Sequence, residues 1–209
     1  MHVERLMVGK LAANCFIVGD QESKRGIVID PGSEAEQIMK RIDMLEYKID
    51  FIVLTHGHFD HVGGAVKLKA LTGAEIVIHH LDEEMIENPD LNCSSSMVGE
   101  QVAFKPDRTV GDRDIIMAGR YKGQIMHTPG HTPGGICIYF DEAKEVFVGD
   151  TLFFGSVGRT DLPGGSRKSL IESLQTKLMK LDDDVAVHTG HGSSTTIGFE
   201  RRKNPYIQG

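Results

Sequence analysis

Apolar residues in this chain come in short dense runs separated by Gly, Asp, Asn and Pro. That is the pattern of buried strands joined by turns, interrupted by a few amphipathic helices. Asn14 to Val18 and Gly26 to Asp30 read as neighbouring strands joined by the polar loop Gly19 to Arg25, and Pro31-Gly32 turns the chain out of the second. Ser33 with Glu36 three residues on predicts a capping box, and Ile38, Ile42 and Leu45 then fall on one helical stripe. Phe51-Ile52-Val53-Leu54 is the densest run and predicts a buried strand ending at Thr55. Gly63-Gly64 opens a helix to about Leu71, Glu75 to His79 is another strand, and a short acidic helix from Leu81 to Ile86 stops at Asn88-Pro89.

No helical or strand period runs through Asn88 to Arg108, so this stretch predicts a long loop and a candidate lid. Beyond it, Gly123 to His127, Gly135 to Phe140 and Glu145 to Gly149 form three short strands, as in a second sheet. Ser166 predicts the N-cap of a long amphipathic helix carrying Leu170, Leu174, Leu178 and Leu181 on one side. A last strand, Val185 to His188, leads into His191. With no repeat, linker or low-complexity segment, residues 1–209 read as one α/β domain of two sheets flanked by helices. Its chemistry is expected on loops at the strand ends.

One such loop dominates. Thr55-His56-Gly57-His58-Phe59-Asp60-His61 places three of the ten histidines and a carboxylate directly after the densest apolar run. Once the chain leaves the sheet, His56 and His58, at alternate positions of a turn, can close on one cation while Asp60 and His61 face a second. Imidazole and carboxylate donors without thiolate suit zinc, iron or manganese. Two cations with open positions need more donors than these four. Three candidates each follow a glycine just beyond an apolar strand: His131, Asp150 and His191. His79 and His80 lie apart from this pattern, His127 and His188 either support ligands or end strands, and Asp30 could do either.

Composition narrows the partners. A net charge of −7 argues against a broad phosphate-binding surface, so nucleic acid is not expected. The start Met1-His2-Val3-Glu4-Arg5-Leu6 lacks a signal-peptide pattern, and no apolar run approaches the ~20 residues of a membrane span. The expected location is the cytoplasm and the expected state a monomer or homodimer. Cys15, Cys93 and Cys137, odd in number and scattered, read as reduced thiols. Asp182-Asp183-Asp184 reads as a solvated turn.

With these residues in place, the chain resembles the metallo-β-lactamase superfamily, whose HxHxDH signature is matched by His56 to His61 and whose later His, Asp and His occur in the same order here. The resemblance implies an αββα sandwich with two divalent metal ions. It assigns His56, His58 and His131 to the first, Asp60, His61 and His191 to the second, and Asp150 as the bridge between them. Within the superfamily the chain is similar to glyoxalase II, the hydroxyacylglutathione hydrolase, in its short single-domain bacterial form. The similarity rests on Thr128 to Gly134, Gly149 to Phe153, Gly158 to Gly165, and the tail Thr196 to Arg201 with Asn204-Pro205-Tyr206. Two features depart from the long enzymes: the chain stops before a C-terminal extension with glutathione-holding basic residues, and Gly192-Ser193-Ser194 replaces an aromatic residue after the last His.

The activity so implied is hydrolysis of a thioester such as S-lactoylglutathione to a hydroxy acid and a thiol. Paired cations, zinc by this resemblance with iron or manganese as substitutes, lower the pKa of a shared water toward about 7. Asp60 and Asp150 are the catalytic candidates, Asp60 orienting the water, and Arg159 is the candidate for gripping an acidic thiol moiety. A thiol of pKa ~8.5 leaves as thiolate without a strong general acid. A β-lactam releases an amine that must be protonated, and many zinc β-lactamases carry Cys where this chain has Asp150. A mononuclear iron persulfide dioxygenase, sharing HxHxDH and the Gly158-Arg159-Thr160-Asp161 stretch, is the alternative, with a lactonase behind it.

Overall fold

The computed structural model describes residues 1–96 and 101–207. Two six-stranded mixed sheets lie face to face. The first runs in chain order: β1 (His2–Val8), β2 (Ala13–Asp20), β3 (Arg25–Ile29), β4 (Lys48–Val53), β5 (Glu75–His79) and β6 (Arg108–Val110). Its β1-β2-β3 part is antiparallel and β3 to β6 are parallel. The second sheet contains β7 (Ile115–Ala118), β8 (Tyr121–His127), β9 (Ile136–Phe140), β10 (Glu145–Gly149), β13 (Ala186–Thr189) and β14 (Thr195–Thr196), in the order β14-β13-β10-β9-β8-β7. A small hairpin, β11 (Leu152–Phe153) with β12 (Ser156–Val157), stands apart.

Strand alternation builds three apolar layers, since successive side chains face opposite ways. In the first sheet, Ile17, Val28, Ile52 and Ile76 pack outward against α1 (Ala35–Leu45) and α3 (Ala65–Thr72) through Ile38, Ile42 and Leu68. Val18, Ile27, Ile29, Val53 and Val77 face inward onto Ile125, Ile138, Phe140 and Phe147 of the second sheet. The outer face of that sheet, with Tyr139, Val146, Val148 and Val187, is covered by Leu170 and Leu174 of α5 (Arg167–Thr176) and by Ile197 of α6 (Ile197–Lys203). Each such buried side chain contributes about 1.5–3 kcal/mol, so the αββα order follows from these three layers. Short helices α2 (Phe59–Val62) and α4 (Glu83–Glu87) follow β4 and β5.

Several expectations need correction. The capping box does not form: Glu34 is the N-cap of α1, in left-handed conformation and without a side-chain cap, and its carboxylate instead accepts from Gly9 N–H. Ser166 does cap α5, accepting from Ser169 N–H, but the helix stops at Thr176 and Leu178 sits in a separate 3-10 turn. Strands β1, β6, β7 and β14 and helix α6 carry too weak a period to be read from sequence. Asp182 and Asp183 are exposed yet paired, Asp182 with Lys144 and Asp183 with Arg201 and Arg202. Residues 97–100 of the expected lid lie outside the described residues. Around them Asn92 is fully buried, its amide donating to Val102 O and its carbonyl accepting from Phe59 N–H, which ties the loop to α2. Cys15, Cys93 and Cys137 are free thiols.

His79, at the end of β5, is 1% exposed and stacks on His127 at 4.1 Å and on His80 at 4.3 Å. Burial first, then the His127 and His80 charges, push it down to about 4. Between that value and the ordinary 6.5 the unfolded chain binds the extra proton, so stability is lost as pH falls through this window. His79→Phe, keeping the stack and removing the titration, is expected to give the chelated protein a flatter acid limb in melts between pH 7 and 4. An unchanged limb would put acid sensitivity elsewhere.

Candidate metal centre

All seven sequence candidates converge at the C-terminal ends of strands. β4 delivers His56, His58, Asp60 and His61; the turn after β8 delivers His131; β10 ends at Gly149 and presents Asp150; β13 ends just before His191. Two glycines make this approach feasible. Gly149 has φ +49, and a Cβ there would collide with Thr55; a Cβ on Gly190 would strike Asp150 Oδ1.

The donors fall into two groups. One nitrogen each of His56, His58 and His131 lie within 4.8 Å of one another, as do donor atoms of Asp60, His61 and His191. His58 Nδ1 is 2.9 Å from His131 Nε2, and His61 Nε2 is 3.2 Å from His191 Nε2. Asp150 spans the groups, with Oδ1 3.4 Å from His61 Nε2 and Oδ2 3.6 Å from His131 Nε2. Asp60 Oδ2 stands 3.2 Å from His191 Nε2. Asp30, His56 and His61 form a third cluster within 4.8 Å. Its carboxylate is already engaged: Asp30 accepts from Thr55 N–H at 2.7 Å, Thr55 Oγ1–H at 2.6 Å and His61 Nδ1–H at 2.9 Å. Asp30 therefore orients His61, which settles the choice its sequence position left open.

The outer contacts fix which nitrogen of each ring faces inward. His56 Nδ1–H donates to Thr55 Oγ1, His131 Nδ1–H to Arg159 O at 2.7 Å, and His191 Nδ1–H to Leu11 O at 3.2 Å. With Nδ1 occupied, Nε2 carries the inward lone pair in these rings and in His61. His56 Nε2 and Asp150 Oδ1 are buried without a hydrogen-bond partner. Buried polar atoms are rarely left so, and converging lone pairs on five rings and two carboxylates are what divalent cations satisfy. The donor set fits two such ions.

Electrostatics agree. Burial, reinforced by the neighbouring rings, holds His56 well below its ordinary value and His58 down at about 3, so both are neutral donors. For His61 burial pulls downward, yet Asp150, Asp30 and Asp60 together raise it to about 10. These carboxylates demand positive charge at that ring, and a cation on Nε2 meets the same demand. Burial raises Asp60, but the His191 hydrogen bond and the His61 and His191 charges outweigh it and bring the carboxyl to about 2.

Sequence reasoning missed one residue that organises both loops. Asp82, fully buried, accepts from Gly57 N–H at 3.0 Å, Thr132 Oγ1–H at 2.7 Å and Gly134 N–H at 2.5 Å. It thereby joins the first histidine motif to the His131 turn. In sequence it belongs to the short acidic helix read from Leu81 to Ile86, where no signal distinguishes it from Glu83 and Glu84. His127 ends β8 and also supports the site, pairing its Nε2 with Pro133 O at 2.9 Å. His188 pairs with Glu145 and stacks on Phe147 between the sheets. His79 and His80 belong to none of the donor clusters among the described residues.

The centre opens into a cavity of about 570 Å³. His58, Asp60, His131, Asp150 and His191 line it together with Leu11, Phe59, Phe153 and Leu162, and Cys93, Ser96 and Arg159 complete it. Arg159 both borders this cavity and holds Asp161 in a two-point ion pair, each contact 2.8 Å.

The family model described as the metallo-beta-lactamase superfamily matches residues 8–191. Hydroxyacylglutathione hydrolase GloC of Haemophilus influenzae is 41% identical over 209 residues, covering 99% of this chain and 98% of that protein. The crystal structure of BLEG-1 B3 metallo-beta-lactamase matches with a TM-score of 0.94 at 30% identity, with 100% of each chain covered. That of TTHA1623 in a di-iron-bound form matches at 0.88 and 36% identity, covering 98% of this chain and 100% of that one. From the αββα layers, the paired donor groups and these similarities, the chain belongs to the metallo-beta-lactamase superfamily.

Proposed function

We propose that this protein is a metal-dependent thioester hydrolase of the glyoxalase II kind, cleaving a substrate such as S-lactoylglutathione to a hydroxy acid and a free thiol. The observation that carries the reading is one cavity in which five of the seven converging donors, His58, Asp60, His131, Asp150 and His191, meet the Arg159 guanidinium. Two divalent ions, zinc or iron, held by His56, His58 and His131 and by Asp60, His61 and His191 with Asp150 between, would supply an activated water and polarise the carbonyl. Asp60, ionised down to about pH 2, can only accept, so it orients the water by taking its hydrogen bond. Leu11, Phe59, Phe153 and Leu162 exclude solvent around the acyl group. Arg159 is fixed by Asp161 on one side and by its own carbonyl, which holds His131, on the other. It faces the departing thiolate, which at a thiol pKa of ~8.5 needs no proton donor. The same proposal places the protein in the cytoplasm, as a monomer or homodimer with neither nucleic acid nor membrane as partner. A charge of −7 supports it, and no helix among the described residues is long and apolar enough to cross a membrane.

Hydrolysis of S-lactoylglutathione by zinc- and iron-loaded protein, followed as loss of thioester absorbance with Asp150→Ala as blank, tests the reading. Turnover missing from the blank supports it. Cleavage of a chromogenic cephalosporin alone would assign a β-lactamase, and oxygen uptake with glutathione persulfide alone would assign the dioxygenase. Arg159→Ala is expected to raise the KM for an anionic thioester about three- to tenfold with kcat within twofold, as one exposed charge contact is lost. An unchanged KM would remove Arg159 from substrate binding.

A further inference from the structure

Beside the metal cavity lies a groove of about 340 Å³, bordered by Gly158, Arg159, Thr160, Arg167, Ile171 and Tyr206. Arg159 borders both spaces. We infer that this groove is the subsite for an anionic group on the thiol half of the substrate, held by Arg167 with Arg159 and flanked by Tyr206. The inference rests on the thioester reading and names the substrate class for it: thioesters whose carrier bears a carboxylate or phosphate away from the sulfur.

Charge is the first argument. Asp161 also borders the groove, but both its oxygens are taken by Arg159. The Arg167 side chain has no ion pair or hydrogen bond among the described residues. It is the first residue of α5, whose first turn contains no acidic side chain. A helix N-terminus favours negative charge, so an unpaired arginine there adds to the positive field instead of answering it. In a chain of net charge −7, the groove is a local cationic surplus.

Construction is the second. The wall carrying Arg159 is set against the metal centre: a Cβ on Gly158 would overlap Asp150 O, and the Arg159 carbonyl accepts from His131. The opposite wall is placed by the C-terminal tail. Glu200, fully buried, accepts from Gly155 N–H, Thr195 Oγ1–H and Asn204 Nδ2–H. Asn204, also fully buried, donates to Ser156 O at 3.0 Å, and its Oδ1 accepts from Tyr206 N–H at 3.0 Å. The motif Glu200…Asn204-Pro205-Tyr206 thus clamps the tail to the β11-β12 hairpin, and Tyr206 comes to rest on the groove. A substrate whose sulfur lies at the metal cavity would pass Arg159 and lay its anionic end between Arg167 and the Tyr206 ring.

The test is calorimetric binding of two uncleavable thioethers, S-methylglutathione and S-methyl-coenzyme A, to zinc-loaded wild type, Arg167→Glu and Arg167→Lys, with S-methylglutathione diethyl ester as the control that lacks carboxylates. One or both anionic thioethers should bind wild type, which tells carboxylate from phosphate carriers. Arg167→Glu should weaken that binding about tenfold, Arg167→Lys should largely restore it, and the diester, without carboxylates, should not lose affinity in Arg167→Glu. Equal binding of the anionic ligands to wild type and Arg167→Glu, or no binding of either, would overturn the inference. Turnover separates the two claims: thioester hydrolysis with a KM untouched in Arg167→Glu leaves the hydrolase reading standing without the groove. Binding that depends on Arg167 in a protein cleaving no thioester leaves the groove standing without the hydrolase.

Discussion

Asp150→Ala is expected to lower thioester hydrolysis by about three orders of magnitude, since several kcal/mol of charge stabilisation at the reacting carbonyl goes with it. The metal bound per chain should fall from two toward one or none. The Asp150 carboxylate reaches between the two groups, to His61 at 3.4 Å and His131 at 3.6 Å. Without it the two cations would share no protein ligand. The metal-free fold should change little, within about 1 kcal/mol, because trimming a short polar side chain that borders a solvent-filled cavity removes little apolar packing. Oδ1 has no hydrogen-bond partner to strand, and Gly149, which shapes the turn, stays in place. The comparison to make is metal content by elemental analysis beside turnover and the melting point of chelated protein. A variant with two metals and full turnover would refute the bridging arrangement, and one that fails to fold would make Asp150 structural.

Much of this architecture was legible because the same residues carry two signals. Phe51 to Leu54 reads as a strand by composition, and the histidines after it read as ligands by type and spacing, so strand end and donor cluster confirm one another. The distant donors His131, Asp150 and His191 were legible through the glycine before each, and the structure shows that Gly149 and Gly190 answer a close approach. What the sequence hid is set by tertiary contact. Ser33 and Glu36 satisfy the capping pattern, yet Glu34 is drawn to Gly9 N–H and takes the cap position in left-handed conformation. The edge strands β1 and β7 mix exposed and buried positions because each is paired on one side only. Asp30 and Asp82 act through partners distant in the chain, Asp30 through Thr55 and His61 and Asp82 through Gly57, Thr132 and Gly134. No local pattern encodes such a reach.

Asp82→Ala should be the most damaging change to stability, costing the metal-free protein about 3–5 kcal/mol by stranding three buried donors. At about 2–4 °C per kcal/mol for a chain of this size, the melting point should fall by about 10–15 °C. Zinc affinity should drop as well, by the ~10- to 100-fold typical of residues that position ligands, because Asp82 alone accepts from both the Gly57 and the Gly134 turns. Asp82→Asn offers a sharper reading. Its amide keeps the shape but presents a donor where the carboxylate accepts, so a loss of about 1–3 kcal/mol is expected at pH 7. Burial raises the Asp82 carboxyl above its ordinary value, against the pull of Thr132, Gly134 and Gly57. The folded chain then binds a proton more readily than the unfolded one, and from that raised value down to the ordinary 3.8 the parent gains stability from this group as pH falls. The Asn variant cannot titrate there, so the gap between parent and variant should widen as melts of chelated protein are taken toward pH 4. A gap that narrows would mean that the carboxylate is held by its three donors more strongly than it is penalised by burial. Unchanged melting and zinc affinity in both variants would show that the two loops find their places without Asp82.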